Sequence, residues 1–174
     1  MKIRKTISAA WVGILWLLLL TGLSGCGLLP KHYGNTIIPE NNLNALKTGG
    51  PHEDTWSTED VILNYRYTQK AGQLTISGTI DLVDSLKSYD KLDYLDFWIY
   101  FTNSENKIIG QLLISPITFF NQVEETAFEK TYTLPPDAKA IVFSYRGSVS
   151  ESGSGGDGIR DGGTTWVFWK APHG

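Results

Sequence analysis

The chain has a single cysteine, Cys26, and histidine at only three positions, His32, His52 and His173. One cysteine excludes an intramolecular disulfide, so an apolar core alone must stabilise any folded domain. No histidine occurs between Glu53 and Pro172, which removes the base that Ser-His and Cys-His hydrolases place beside their nucleophile. No glycine-rich phosphate loop followed by Lys and Ser or Thr is present, and no HExxH. The three histidines share no ligand-like spacing and read as solvated side chains. Positive charge is scarce as well: 15 Lys and Arg stand against 18 Asp and Glu. Without a basic stripe, nucleic acid is not an expected partner. Helical periodicity is also missing, since no segment of useful length repeats its apolar residues every 3.6 positions.

What is present starts at the N-terminus. Lys2, Arg4 and Lys5 precede a stretch without charge from Thr6 through Pro30. A basic segment followed by an apolar one is the layout of an export signal. The apolar run, Ile7 to Leu20, suits a helix bound in the translocon. Thr21, Gly22, Ser24 and Gly25 then supply the small residues that a signal peptidase needs around its cut. The same uncharged stretch is long enough to span a bilayer as an uncleaved anchor.

Leu23-Ser24-Gly25-Cys26 resembles the lipobox of bacterial lipoproteins. That resemblance implies removal of residues 1–25 as a signal peptide and attachment of a diacylglyceryl group to the Cys26 sulfur. Two or three acyl chains hold stably, because each buried methylene is worth about 0.8 kcal/mol. The implied location is the cell envelope, with membrane lipid as the first partner. Gly27 is not the aspartate associated with inner-membrane retention, which implies the outer membrane in a Gram-negative cell. Residues 1–25 hold three basic groups and no acidic one, so the remainder carries 12 basic against 18 acidic groups, a formal −6.

Residues 26–55 read as a flexible linker. Pro30, Pro39 and Pro51 interrupt it, with Gly34, Asn41, Asn42, Asn44, Gly49 and Gly50 between them. A short helical turn around Glu40 to Lys47 fits within it. A free linker of this length reaches roughly 30 Å from the anchor.

Residues 56–174 read as one domain built of strands. Val61, Leu63, Tyr65 and Tyr67 alternate with Ile62, Asn64 and Arg66, and Leu74, Ile76, Gly78, Ile80 and Leu82 alternate with Thr75, Ser77, Thr79 and Asp81. Tyr94 to Phe101 is apolar on both faces, which predicts a central strand with one side covered. Further strands follow at Ile108 to Leu113, Glu125 to Leu134, Ala140 to Arg146 and Thr165 to Lys170. Seven strands parted by turns predict an all-β, two-sheet antiparallel sandwich. The order of a strand, Leu134-Pro135-Pro136-Asp137, and a strand ending in Tyr145-Arg146-Gly147 resembles the late strands of fibronectin-III-like domains. Ile76-Ser77-Gly78-Thr79-Ile80 is similar to immunoglobulin-like domains of bacterial envelope proteins. The resemblance implies a fold and no functional residue; a small lipocalin-like barrel is the alternative closure.

Several groups are candidates for chemistry. Asp81, Asp84, Asp90, Asp93 and Asp96 cluster along the second and third strands, where carboxylates facing water serve solubility. Glu151, Asp157 and Asp161 lie in a glycine-rich loop, Gly147 to Gly163, and are weak candidates for a calcium site. Read simply, that loop is a hairpin connection, and no cofactor or metal is expected. Trp98 and Tyr100, with Trp166 or Trp169 on another strand, are candidates for an exposed aromatic platform. The function expected is that of a non-catalytic, lipid-anchored binding or structural module with an envelope protein partner. A small envelope enzyme or ligand carrier is the alternative.

Overall fold

The structure, a computed structural model, describes residues 33, 36–120, 125–151 and 163–172. The expected signal segment, the lipobox-like Leu23-Ser24-Gly25-Cys26, Gly27, His32, His173, Asp157 and Asp161 lie outside the described residues. Nine strands are present among the described residues. They are β1 (Asn44–Ala45), β2 (Gly49–Ser57), β3 (Val61–Lys70), β4 (Gln73–Leu82), β5 (Lys91–Thr102), β6 (Ile108–Phe120), β7 (Thr126–Thr133), β8 (Ala140–Ser150) and β9 (Thr165–Lys170). A 3-10 turn, Glu40–Asn42, precedes β1, and one helical turn, α1 (Asp84–Lys87), joins β4 to β5 with Leu86 buried.

The strands form two antiparallel sheets. One has the order β2-β3-β4-β7. In the other, β6, β5 and β8 lie side by side, and the second edge of β8 is shared, β1 pairing at Ala140 and Ile141 and β9 from Tyr145 to Ser150. Neither sheet closes into a barrel. From β3 onward, β3-β4-β7 faces β6-β5-β8-β9 as a two-sheet antiparallel sandwich, with β1 and β2 added before it.

Period-2 alternation aims one face of every strand at the space between the sheets. Leu63, Tyr65, Leu74, Ile76 and Ile80 on one side meet Leu95, Phe97, Ile99, Phe143 and Tyr145 on the other, all buried. Trp56 closes this core edge-on, its ring 5.9 Å from that of Phe97 at 89°. At its far side Phe168 of β9 lies over Gly147 of β8, where a Cβ would overlap its ring. That ring on a bare backbone seats β9 against the sheet.

The linker expected over residues 26–55 is not free of the domain from Thr36 onward. Ile38 is fully buried, and its N–H donates to the Asn106 carbonyl at 2.9 Å. All of β2 except a bulge between Gly49 and His52 pairs with β3, and Pro51 falls in that bulge, where an edge strand tolerates it. The turn expected near Glu40 exists as the 3-10 turn, after which the chain extends into β1. His52 is half-buried with its ring 5.1 Å from that of Tyr67, so it is not the solvated side chain expected from a linker.

Candidate functional site

The outer face of the β6-β5-β8-β9 sheet carries the aromatics that alternation left out of the core. Trp98 and Tyr100 of β5 point there, as do Arg146 of β8 and Val167 and Trp169 of β9. Cross-strand register sets Asp96 beside Arg146 and Arg146 beside Trp169. A cleft of about 480 Å³ opens over this face, lined chiefly by Tyr33, Trp98, Tyr100, Arg146, Val167 and Trp169.

One end of the face is covered by the chain's own N-terminal segment. Tyr100 is only 2 % exposed, packed with Ile38, Ile108 and Val142, with Tyr33, Leu43 and Trp98 around them. The Tyr33 ring meets that of Tyr100 at 5.4 Å and 69°, the edge-to-face geometry aromatic pairs prefer. Burial, and then Tyr33, pushes the Tyr100 phenol up to about 12. The cover predicted from the two apolar faces of β5 is therefore present. The expected exposed pair of Trp98 and Tyr100 is not: Trp98 is half-buried and Tyr100 is core.

The exposed aromatics lie on β9. Trp166 is 54 % exposed, Val167 52 % and Trp169 65 %. Beyond its pairing with β8, the other edge of this strand has no strand partner among the described residues. Ser144 Oγ donates to the Lys170 carbonyl at 2.7 Å, fixing the end of β9 beside the cleft. Tyr33, Arg146 and Val167 were not legible as site residues. Arg146 has no local motif, and Tyr33 sits in the stretch that reads as linker.

Charge within the site is arranged in a short row. The Arg146 guanidinium lies 6.0 Å from the centroid of the Tyr94 ring, within reach of a cation–π contact. Burial pushes the Asp96 carboxyl above its ordinary range, with Arg146 opposing. Its ionised form is thus disfavoured on folding, so the stability it contributes is complete below the ordinary carboxylate range and lost as pH rises through its folded value. Asp96→Asn should therefore raise the thermal midpoint slightly at pH 7 and leave it unchanged below about pH 3.9, which melts at the two pH values test directly. Asp93 has the opposite sign. Burial alone would raise its carboxyl, but Ser150, Ser148 and Lys91 together hold it below the usual range.

Asp81 takes Lys87 at 2.6 Å, and Asp84 lies in the first turn of α1. Among the described residues, no group of three or more His, Cys, Asp or Glu is placed to hold a metal ion. Glu151 is exposed at the end of β8, its N–H on the Thr164 carbonyl at 2.9 Å. The acidic residues expected to join it lie outside the described residues. A wider trough of about 710 Å³ crosses the outer face of the other sheet. Its side chains satisfy one another: Thr55 donates to Asn64 at 2.8 Å and Arg66 to Ser77 at 3.1 Å. That leaves it an open trough in which some of the hydroxyl, amide and guanidinium groups are already engaged with one another.

No protein-family model matches the chain, and neither a curated protein nor a solved structure does. The cleft is thus read on its own chemistry. Aromatic faces, one guanidinium and an unpaired strand edge suit contact with an amphipathic surface. No helix among the described residues is long and apolar enough to cross a membrane.

Proposed function

We propose that this protein is a bacterial envelope lipoprotein, anchored through acylated Cys26, whose sandwich acts as a non-catalytic contact module. The aromatic cleft and bare β9 edge carry this reading. Flat aromatic rings make up most of the cleft lining, with Arg146 and Lys170 among them. Such rings supply contact area while their N–H and O–H groups remain satisfied. The basic and apolar N-terminal layout and Leu23-Ser24-Gly25-Cys26 support the anchor. Gly27 favours the outer membrane in a Gram-negative host.

Expressed in a bacterium, the full chain should take up labelled fatty acid and partition into detergent. Cys26→Ser should abolish the label and leave an unprocessed precursor. Unmodified Cys26 found by mass spectrometry in the processed protein would overturn the reading. The polar trough favours a second reading, a small-ligand carrier, and retention of a polar ligand through purification of the full chain would support it.

A further inference from the structure

The tether between the anchor and the folded domain has far fewer residues than the 30 that composition suggests. Tyr33 already sits against Tyr100, only seven residue steps after Cys26. Fully extended, seven residues span about 25 Å at most. An acyl anchor on Cys26 therefore confines the Tyr33 end of the cleft to that distance from the lipid headgroups. Trp169 lines the same cleft, and β9 runs from there toward Val149, so Trp169 is the end of the exposed edge nearest the anchor and Trp166 the farther end.

From this we infer that the β9 edge docks on the bilayer that holds Cys26, with Trp166, Val167 and Trp169 seated in the headgroup region. The inference rests on the lipoprotein reading and names the surface that the cleft region meets. Indole rings collect at membrane interfaces because one side of the ring is apolar and its N–H is polar. These three side chains are each more than half exposed. Val167 lies on one face of β9 with Trp169, and Trp166 on the other, so both faces of the strand offer apolar area at its edge. Contact is therefore edge-on. Lys170 and Arg146 supply positive charge beside the edge, where anionic headgroups favour it.

The anchor itself makes lipid the favoured occupant over a protein strand or a sugar. A short tether holds the bilayer near β9 at an effective concentration in the millimolar range, so a weak intrinsic affinity suffices. A free partner has no such advantage. The −6 formal charge without residues 1–25 gives no general attraction to anionic lipid, which leaves the β9 side chains as the docking element.

The test uses the processed lipoprotein reconstituted in phosphatidylethanolamine–phosphatidylglycerol vesicles with brominated acyl chains, which quench nearby indoles. Mass spectrometry of the Cys26 peptide comes first, and absence of acyl chains there defeats the lipoprotein reading by itself. With acylation established, the brominated lipid should remove part of the tryptophan emission. Val167→Asp keeps every indole and should lose that quenching, as should Trp166→Ser with Trp169→Ser, at an unchanged thermal midpoint. Unquenched emission from the acylated wild type overturns the docking while leaving the anchor intact. Equal quenching in both variants overturns it too, since other residues would then face the lipid. Absence of quenching together with protection of Trp166 and Trp169 from hydroxyl radicals in native membranes makes the occupant a protein, and also overturns it.

Discussion

Ile99→Asp should abolish cooperative folding at neutral pH. Ile99 is fully buried in β5, the strand flanked on both edges by others, and its cross-strand partners are Leu112 and Phe143. No cation stands opposite to pair an introduced carboxylate. It must be neutralised or leave water unpaired, and either route costs several kcal/mol. The lost burial of isoleucine adds about 1.5–3 kcal/mol. Against a typical total of about 5–15 kcal/mol for a domain, that is enough to empty the native state. Circular dichroism should show no sigmoidal melt. Thr75→Asp provides the contrast, because Thr75 is exposed on β4 between Thr68 and Thr131, its hydroxyl 3.2 Å from that of Thr131. Its effect should stay within about 0.5 kcal/mol. A reversed outcome would mean that the strand faces are inverted.

Beginning the chain at Trp56 should also be costly, although sequence composition places the domain border there. Such a chain loses β1, all of β2 but its last two residues, and the burial of Ile38. It uncovers Tyr100, Ile108 and Val142 on the outer face. Ile38 alone is worth about 1.5–3 kcal/mol, and the partly buried Leu43 and Leu46 add to it. The thermal midpoint should fall by on the order of 10 °C relative to a chain beginning at Tyr33. Parallel melts of the two chains, with a dye that binds exposed apolar surface, give the comparison. Equal midpoints would show that residues 33–55 add nothing to the fold.

These two results mark where sequence was informative. Strands such as β3 and β4 were legible because each has one wet face and one dry face, and a period of two records that difference directly, while β5 and β8, buried on both faces, were legible as apolar runs. Leu74, Ile76 and Ile80 show the alternation in its plainest form. The N-terminal additions carry no such record. β2 is an edge strand with only His52 and Trp56 half-buried, so its alternation is faint, and Pro51 speaks against a strand until the bulge is seen. Ile37-Ile38 is too short to define a period, yet Ile38 is the residue that fills the cover over Tyr100. The platform was half legible for a related reason. Aromatics on both faces of β5 announced a covering layer, while its identity depends on contacts between positions about sixty residues apart. Trp166 and Trp169 were recognisable as surface candidates, but their exposure follows from β9 occupying an edge, which no local pattern encodes.

The sharing of one β8 edge between β1 and β9 also sets how the protein responds to load. A pull on the N-terminal end meets first the Ile37–Lys107 bridge with the buried Ile38, then β1, which holds β8 through only two residue pairs, Asn44 with Ile141 and Ala45 with Ala140, and only then β2. Short elements with few buried contacts open at the low end of the local stability range. Under tension the bridge at Ile37 and the short β1 strap should part before β2 and release residues 33–48, lengthening the chain by roughly 50 Å. The facing sheets can stay intact while they do so, since β9 keeps its separate six-pair hold on β8. The domain thus has a mechanical fuse, set where its chain leaves for the N-terminus.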